Sequence, residues 1–295
     1  MNLTLPARPP FSLASVVRSH GWVQMAPYTI DDTSGGFDYI DHLPTGRVLR
    51  YQVRPDPDGV SVEIDDALTP AEQDEVISRL TWMMGLDQDF YEFYSLAERE
   101  PKLRNAAARA QGRILRSPTL FEDVIKTILT TNTLWAATIR MDRNLVSQFG
   151  APLPGDTSQQ AFPTAQQLAH TDEASLRAQT RLGYRAPYVL ELARSVADGS
   201  LDLEALKDSG LGTPDLRKRL LSIKGIGDYA AANLLMLLGH YDYLPVDTWA
   251  VKVVSYEWFD GQPVGRKEVE AAFEQWGAYK GLAYWLWDWS YLQTI

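Results

Sequence analysis

The 295-residue sequence contains no cysteine. That absence excludes disulfide scaffolds, thiolate zinc sites, cysteine-ligated iron–sulfur clusters and cysteine nucleophiles together, and it fits a cytoplasmic setting. Long apolar runs are missing as well: no window approaches the ~18 consecutive apolar residues of a membrane helix. The start has no apolar core of roughly 7–15 residues behind a basic leader, so neither a secretory signal nor a membrane partner is expected. Histidine is scarce, and none of the four lies three or four residues from another, which removes the helical spacing of a zinc site. Basic side chains are in deficit, 28 Lys and Arg against 38 Asp and Glu, for a net charge of −10. Taken whole, that balance argues against a polyanionic partner. No repeat of roughly 20–50 residues is present.

What the sequence does have is the material for a core. It is 45% hydrophobic and 22% charged, a globular composition, and at ~150 residues per domain its length suggests two domains or one large one. Charge is unevenly spread. Residues 51–100 hold three basic and thirteen acidic side chains and so carry the whole −10, whereas residues 102–149 hold eight basic against three acidic. Arg47–Val53 and Val60–Ile64 alternate around a turn-forming Pro55–Gly59, which predicts a hairpin; Gly21–Met25 and Phe37–Asp41 are weaker strand candidates. Thr69, Pro70 and Glu72 open an acidic helix, and beyond Pro101 the apolar spacing is helical almost to the end, with loop composition over 150–163. Ser117 and Pro118 read as the cap and first residue of a helix whose apolar face is Phe121, Val124, Ile125, Ile128 and Leu129. The expectation is an α+β chain, with an N-terminal antiparallel β-rich domain over 1–100 and a helical body over 101–295.

Chemistry concentrates in residues 213–254. Thr213-Pro214 starts a helix through Leu216, Leu220, Leu221 and Ile223, broken by Lys224-Gly225-Ile226-Gly227, and a second, apolar helix follows from Asp228 to Gly239. Glycines one residue apart allow consecutive backbone N–H groups to be presented at the second helix's N-terminus, where amide dipoles hold a phosphate oxygen with few cationic side chains. An ordinary helix turn with a glycine cap has the same sequence pattern. After the second helix, Tyr243-Leu-Pro-Val-Asp247 places one acid at the end of a Pro-containing loop, just ahead of another amphipathic helix that it could cap.

Gly-x-Gly, an apolar helix and Pro-x-Asp, in that order, resemble the helix-hairpin-helix DNA glycosylase superfamily. Gly112–Glu122 resembles the approach to that fold's first helix, Leu182–Val189 its Gly-Tyr-Arg-Ala segment, and Gly277–Ala283 its last helix, so the likeness covers about residues 80–292. The resemblance implies a two-lobed helical body containing the hairpin (213–239) and a catalytic loop (243–248). It also implies an activity in base excision repair, hydrolysis of the bond between a damaged base and deoxyribose in double-stranded DNA, after the nucleotide has been flipped into a pocket. A monomer, nucleoid-associated when bound to DNA, is expected. Asp247 would be the carboxylate that stabilises oxocarbenium character on the sugar. Lys224, Gly225 and Gly227, with Tyr184 and Arg185, would meet DNA phosphates. The backbone carbonyls of Leu221, Ile223 and Ile226 would hold a Na⁺ or K⁺ ion. Asn132 would fill the gap left by the flipped nucleotide, although an Asn that interrupts a helix can also bond its local backbone.

The branch within the superfamily is read from single positions. Where members that also cut the backbone carry a nucleophilic lysine, two residues after the second hairpin glycine, this sequence has Tyr229, so lyase activity is not expected. Branches built on a four-cysteine iron–sulfur cluster are excluded. The sequence is most like the 3-methyladenine DNA glycosylase II group, whose alkylated purines are cationic and attracted to ring faces. Tyr229, Trp249, Tyr284 and Trp22 are the candidate rings of the base pocket, with Asn233 at a position that is aromatic in some relatives; Trp285, Trp287 and Trp289 are expected in the core. Two alternatives stand. An 8-oxoguanine-type glycosylase is favoured by Asn132 and the Gly-Tyr-Arg-Ala segment but disfavoured by Ala137, where that branch has an arginine. A non-catalytic hairpin protein would hold DNA phosphate and have no need of Asp247. The run Arg217-Lys218-Arg219 fits a solvated helix face and a DNA contact equally.

Overall fold

The computed structural model describes residues 1–287. Seven strands are present among them: β1 (Asn2–Pro6), β2 (Tyr28–Asp31), β3 (Gly36–His42), β4 (Val48–Asp56), β5 (Gly59–Ile64), β6 (Pro152–Leu153) and β7 (Asp156–Gln160). The helices, in chain order, are α1 (Leu13–Val17), α2 (Pro70–Met84), α3 (Tyr91–Ala97), α4 (Leu120–Thr130), α5 (Trp135–Phe149), α6 (Ala165–Ala169) and α7 (Glu173–Thr180). They continue with α8 (Ala186–Ala197), α9 (Thr213–Leu221), α10 (Asp228–Leu237), α11 (Thr248–Trp258), α12 (Arg266–Phe273) and α13 (Lys280–Leu286). The fold is α+β, as expected. Contacts divide the described chain into two compact units, one of Met1–Gln88, Arg113–Gly210 and Ile223–Gly225, the other of Asp89–Gly112, Leu211–Ser222 and the described residues from Ile226 onward. That division does not follow a boundary at residue 100, because the segment from Arg113 to Gly210 packs with the sheet.

In the first unit β1 to β5 form one antiparallel sheet of order β1-β5-β4-β3-β2. The predicted hairpin is β4–β5, closed by Pro57 and Asp58 between the paired Asp56 and Gly59. Alternation puts Tyr39, Tyr51, Val53, Val62 and Ile64 in the core. Phe37–Asp41 is strand, but Gly21–Gln24 is a turn of 3-10 helix capped by the His20 side chain, which accepts the Trp22 N–H. α2 begins where the sequence places it, with Thr69 and Glu72 forming a reciprocal capping box behind Pro70.

Three expectations need correction. The cap of α4 is Thr119 and not Ser117; the Ser117 N–H instead donates to Asp123 Oδ1 at 2.9 Å, so Asp123 closes the turn before the helix. Residues 101–119 carry turns and extended chain in place of helix, and the loop over 150–163 contains the short β6–β7 hairpin. Finally, α4 is buried from Leu120 to Leu129 on every side, not on one apolar face. Its polar side chains find partners inside: Glu122 accepts the Tyr39 hydroxyl at 2.7 Å and pairs with Lys126 at 2.7 Å, and Asp123 accepts the Trp22 indole N–H at 2.8 Å.

Candidate functional site

The second unit contains the hairpin helices and the acid loop. α9 starts with Pro214 in its first turn, where proline's missing N–H costs nothing, and runs to Leu221. Leu216 and Leu220 are buried, and α10 presents Ala230, Ala231, Leu234 and Leu235 to the interior. Between the helices Gly225 adopts φ +90°, a conformation that L side chains rarely take, and a Cβ there would also lie 2.9 Å from the Tyr188 ring. Gly227 is the N-cap of α10, and a Cβ added to it would meet nothing within 4 Å, so the space beside the first-turn N–H groups is open. Leu221 ends α9, Ile223 and Ile226 lie in the turn, and among the described residues none of their carbonyl oxygens accepts a backbone hydrogen bond.

Past α10 the chain reverses at Gly239 and reaches Asp247, the N-cap of α11. Its Oδ1 accepts the Ala250 N–H at 2.7 Å, which fixes the carboxylate by an ordinary capping bond. The Tyr284 hydroxyl donates to the same oxygen at 3.3 Å. Burial, and then the charge of Asp247, hold that phenol protonated by raising its pKa well above the usual tyrosine range. Asp247 lines a cavity of about 290 Å³. Tyr229, Asn233, Trp249 and Tyr284, the residues assigned from the sequence to a base pocket, form its walls with Asp247, together with Ala232, Met236, Pro245 and Trp285. The Asn233 amide donates to the Tyr229 carbonyl at 2.9 Å, and the Tyr229 ring is 53% exposed. The arrangement is an apolar, ring-walled recess with one carboxylate fixed in its wall.

Of the lining residues that sequence reasoning missed, Ala232 and Met236 carried a signal: they follow Tyr229 by three and seven residues, the spacing of one helix face. Trp285, expected in the core, lines the cavity, whereas Trp287 is buried; Trp289 lies outside the described residues. Trp22 is corrected. It is buried in the first unit, its N–H taken by Asp123 and its ring edge-on to His20, so it is a core ring there. Arg185 is corrected as well, from a phosphate contact to a brace: it is only 6% exposed, its guanidinium donates to the Thr131 carbonyl, and its charge lies over the Tyr184 ring at 4.5 Å. Tyr184 itself is exposed. Lys224 is exposed and paired with Glu191 at 2.7 Å. Arg217 is tied to Asp228 and to the Tyr243 hydroxyl, which favours the structural reading of that residue. Asn132 sits at the end of α4 with φ +47°, exposed.

Residues 125–278, just over half of the chain and including the hairpin and Asp247, match the HhH-GPD superfamily base excision DNA repair proteins. The chain belongs to that superfamily. A DNA-3-methyladenine glycosylase of Bacillus subtilis is 27% identical over 57% of this chain and 56% of its own length. An N-glycosylase/DNA lyase of Saccharomyces cerevisiae is 24% identical over 55% of this chain and 52% of its own. The chain thus spans about half the length of these curated relatives. Among solved structures, a 3-methyladenine DNA-glycosylase from Archaeoglobus fulgidus superposes with a TM-score of 0.76 at 21% identity, covering 100% of this chain and 99% of the other, a likeness of fold. Among the described residues no group of three or more His, Cys, Asp or Glu side chains is placed to hold a metal ion, and no helix is long and apolar enough to cross a membrane.

Proposed function

We propose that this HhH-GPD protein is a monofunctional DNA glycosylase that removes alkylated purines such as 3-methyladenine and 7-methylguanine. The observation that carries the reading is Asp247 fixed in the wall of an aromatic recess. A base whose glycosidic bond lies inside a duplex is unreachable until its nucleotide rotates out. Alkylation at N3 or N7 leaves the purine cationic, so the faces of Tyr229, Trp249, Tyr284 and Trp285 attract it, and it is already a good leaving group. As the bond breaks, positive charge appears on the sugar, and a carboxylate that is already held in place stabilises it without reorganisation. Of its two oxygens, Oδ1 is occupied by the Ala250 N–H and the Tyr284 hydroxyl. Oδ2 accepts no hydrogen bond from a described residue and is the oxygen available to the sugar or to the attacking water. The amides at the start of α10 would hold a phosphate. The carbonyls of Leu221, Ile223 and Ile226 suit a Na⁺ or K⁺ ion, which takes oxygen donors, and such an ion would add positive charge to the hairpin.

An 8-oxoguanine-type activity is the second reading, favoured by the exposed Asn132 and by the Gly-Tyr-Arg-Ala segment. Ala137 and Tyr229 speak against it: the one offers no hydrogen bonds to an opposite cytosine, and the other is a phenol that cannot form an imine with the sugar. The test is to incubate the protein with alkylated and with oxidised DNA and to identify the released bases by mass spectrometry. Methylated purines are expected, with borohydride trapping no protein–DNA adduct. Asp247→Asn, which keeps an oxygen for the Ala250 N–H, should slow release by at least ~100-fold, the worth of one preorganised electrostatic group. Release of 8-oxoguanine alone, or an adduct at enzyme-equivalent yield, would replace the first reading by the second.

A further inference from the structure

We infer that Leu134 is an insertion residue: an apolar side chain that enters the DNA duplex beside Asn132 and restores stacking lost when the damaged nucleotide leaves the helix. The inference rests on the reading of the protein as a DNA glycosylase. Leu134 is 80% exposed, the most exposed of the large hydrophobic side chains described. It is also the N-cap of α5, and it makes no side-chain capping bond. Ser, Thr, Asp or Asn is the ordinary choice at such a position, because a side-chain oxygen satisfies one of the orphan N–H groups. Leucine here forgoes that bond and places apolar surface in water, two local penalties at one residue with no gain inside the chain. Departures of this kind are expected where a residue serves something outside the fold.

The loop that carries Leu134 is held on both sides. Before it, the Thr131 hydroxyl donates to the Ile128 carbonyl at 2.8 Å, and the Thr131 carbonyl is held by the buried Arg185 guanidinium. After it, the Trp135 indole N–H donates to Gln24 Oε1 at 2.9 Å. The Trp135 ring lies so close over Gly21 that a Cβ there would be 2.2 Å from it, so this seat exists only because residue 21 has no side chain. The Thr138 hydroxyl closes back on the Leu129 carbonyl at 3.1 Å. An aliphatic side chain on a braced loop keeps its direction when it is pushed, which a wedge requires, and Leu is among the side chains that proteins insert between base steps. Asn132 and Leu134 would then divide the work. The amide can hydrogen-bond the orphaned base, and the isobutyl group supplies the contact area that an amide lacks.

The experiment uses full-length protein and a duplex carrying a tetrahydrofuran abasic-site analogue next to 2-aminopurine, whose fluorescence reports stacking. A second duplex carries 7-methylguanine for single-turnover release. Leu134→Ala should melt at the temperature of the wild type, since the side chain is exposed, yet lose most of the fluorescence change and release 7-methylguanine about tenfold more slowly or worse. Leu134→Met should recover most of both signals. Wild-type fluorescence and rate in Leu134→Ala would overturn the insertion role and leave the glycosylase reading standing. If the wild-type protein neither changes the fluorescence nor releases a base from DNA, the glycosylase reading falls and this inference falls with it.

Discussion

Asp142 lies fully buried on α5, and burial pushes its carboxyl up to about 7 against the pull of the Lys126 charge. Asp123, also buried, on α4, is pushed up to about 6 for the same reason. A raised acid pKa means that the native chain keeps a proton that the unfolded chain has already released. Between pH ~4 and ~7 Asp142 therefore makes stability fall as pH rises, and above that window it adds no further slope. His20 acts in the opposite sense, since burial lowers it to about 4 and the native chain sheds its proton first, but that effect is common to wild type and a variant at residue 142. Asp142→Asn should accordingly gain on the wild type as pH rises, by roughly 1–3 kcal/mol between pH 5 and pH 8 in urea unfolding. A difference that stays the same at both pH values would show that Asp142 is not held neutral in the folded protein. None of this was visible in the sequence, where Glu122, Asp123 and Asp142 counted only as the three acids, and Lys126 as one of the eight bases, of residues 102–149.

At the scale of the element, the two hairpin glycines have separable roles. Gly225 needs its positive φ and the absence of a Cβ against Tyr188, whereas Gly227 has φ −98° and free space around it. Gly225→Ala should cost stability of about 1–3 kcal/mol, read as a lower melting temperature, through backbone strain. Gly227→Ala should melt close to the wild type but bind duplex DNA more weakly, because the new methyl group would stand where a phosphate approaches the α10 amides. Equal losses of stability and binding in both variants would remove the distinction. Elements of this kind were legible beforehand. The caps of α2 and α11, the proline opening of α9 and the β4–β5 turn each rest on residues adjacent in the chain. Gly21–Gln24 was misread because alternation over so short a stretch fits a strand as well as a 3-10 turn, and the His20 side chain decided the outcome.

For the whole molecule the central electrostatic question is how a chain of net charge −10 would engage the polyanion proposed as its partner. Two cations beside the candidate hairpin already have carboxylate partners, Lys224 in Glu191 and Arg217 in Asp228, which leaves Lys218 and Arg219, exposed in the last turn of α9, as the charged side chains there. Arg185 is turned inward. Phosphate would be held chiefly by amide dipoles, which release few counterions, so DNA affinity should fall only modestly with salt. Binding isotherms between roughly 50 and 200 mM KCl would check this, and a log–log slope near about −8 would mean many ion-paired phosphates and contradict it.

The sequence by itself determined the α+β class and the hairpin with its two glycines, because each depends on local backbone requirements or on helical spacing, while the acid at 247 and four of the side chains that line the cavity with it were assigned through the resemblance of the motifs to the glycosylase superfamily. Tertiary structure alone decided which aromatic rings serve the cavity and which serve a core. Trp22 and Trp285 are chemically alike, and only the placement of Asp123 beside one and of the Asp247 cavity beside the other separates them. It also decided the fate of Arg185, whose charge suits phosphate but whose guanidinium the fold commits to the carbonyl of Thr131. Contacts of this kind join residues tens of positions apart, and no periodicity within a segment records them.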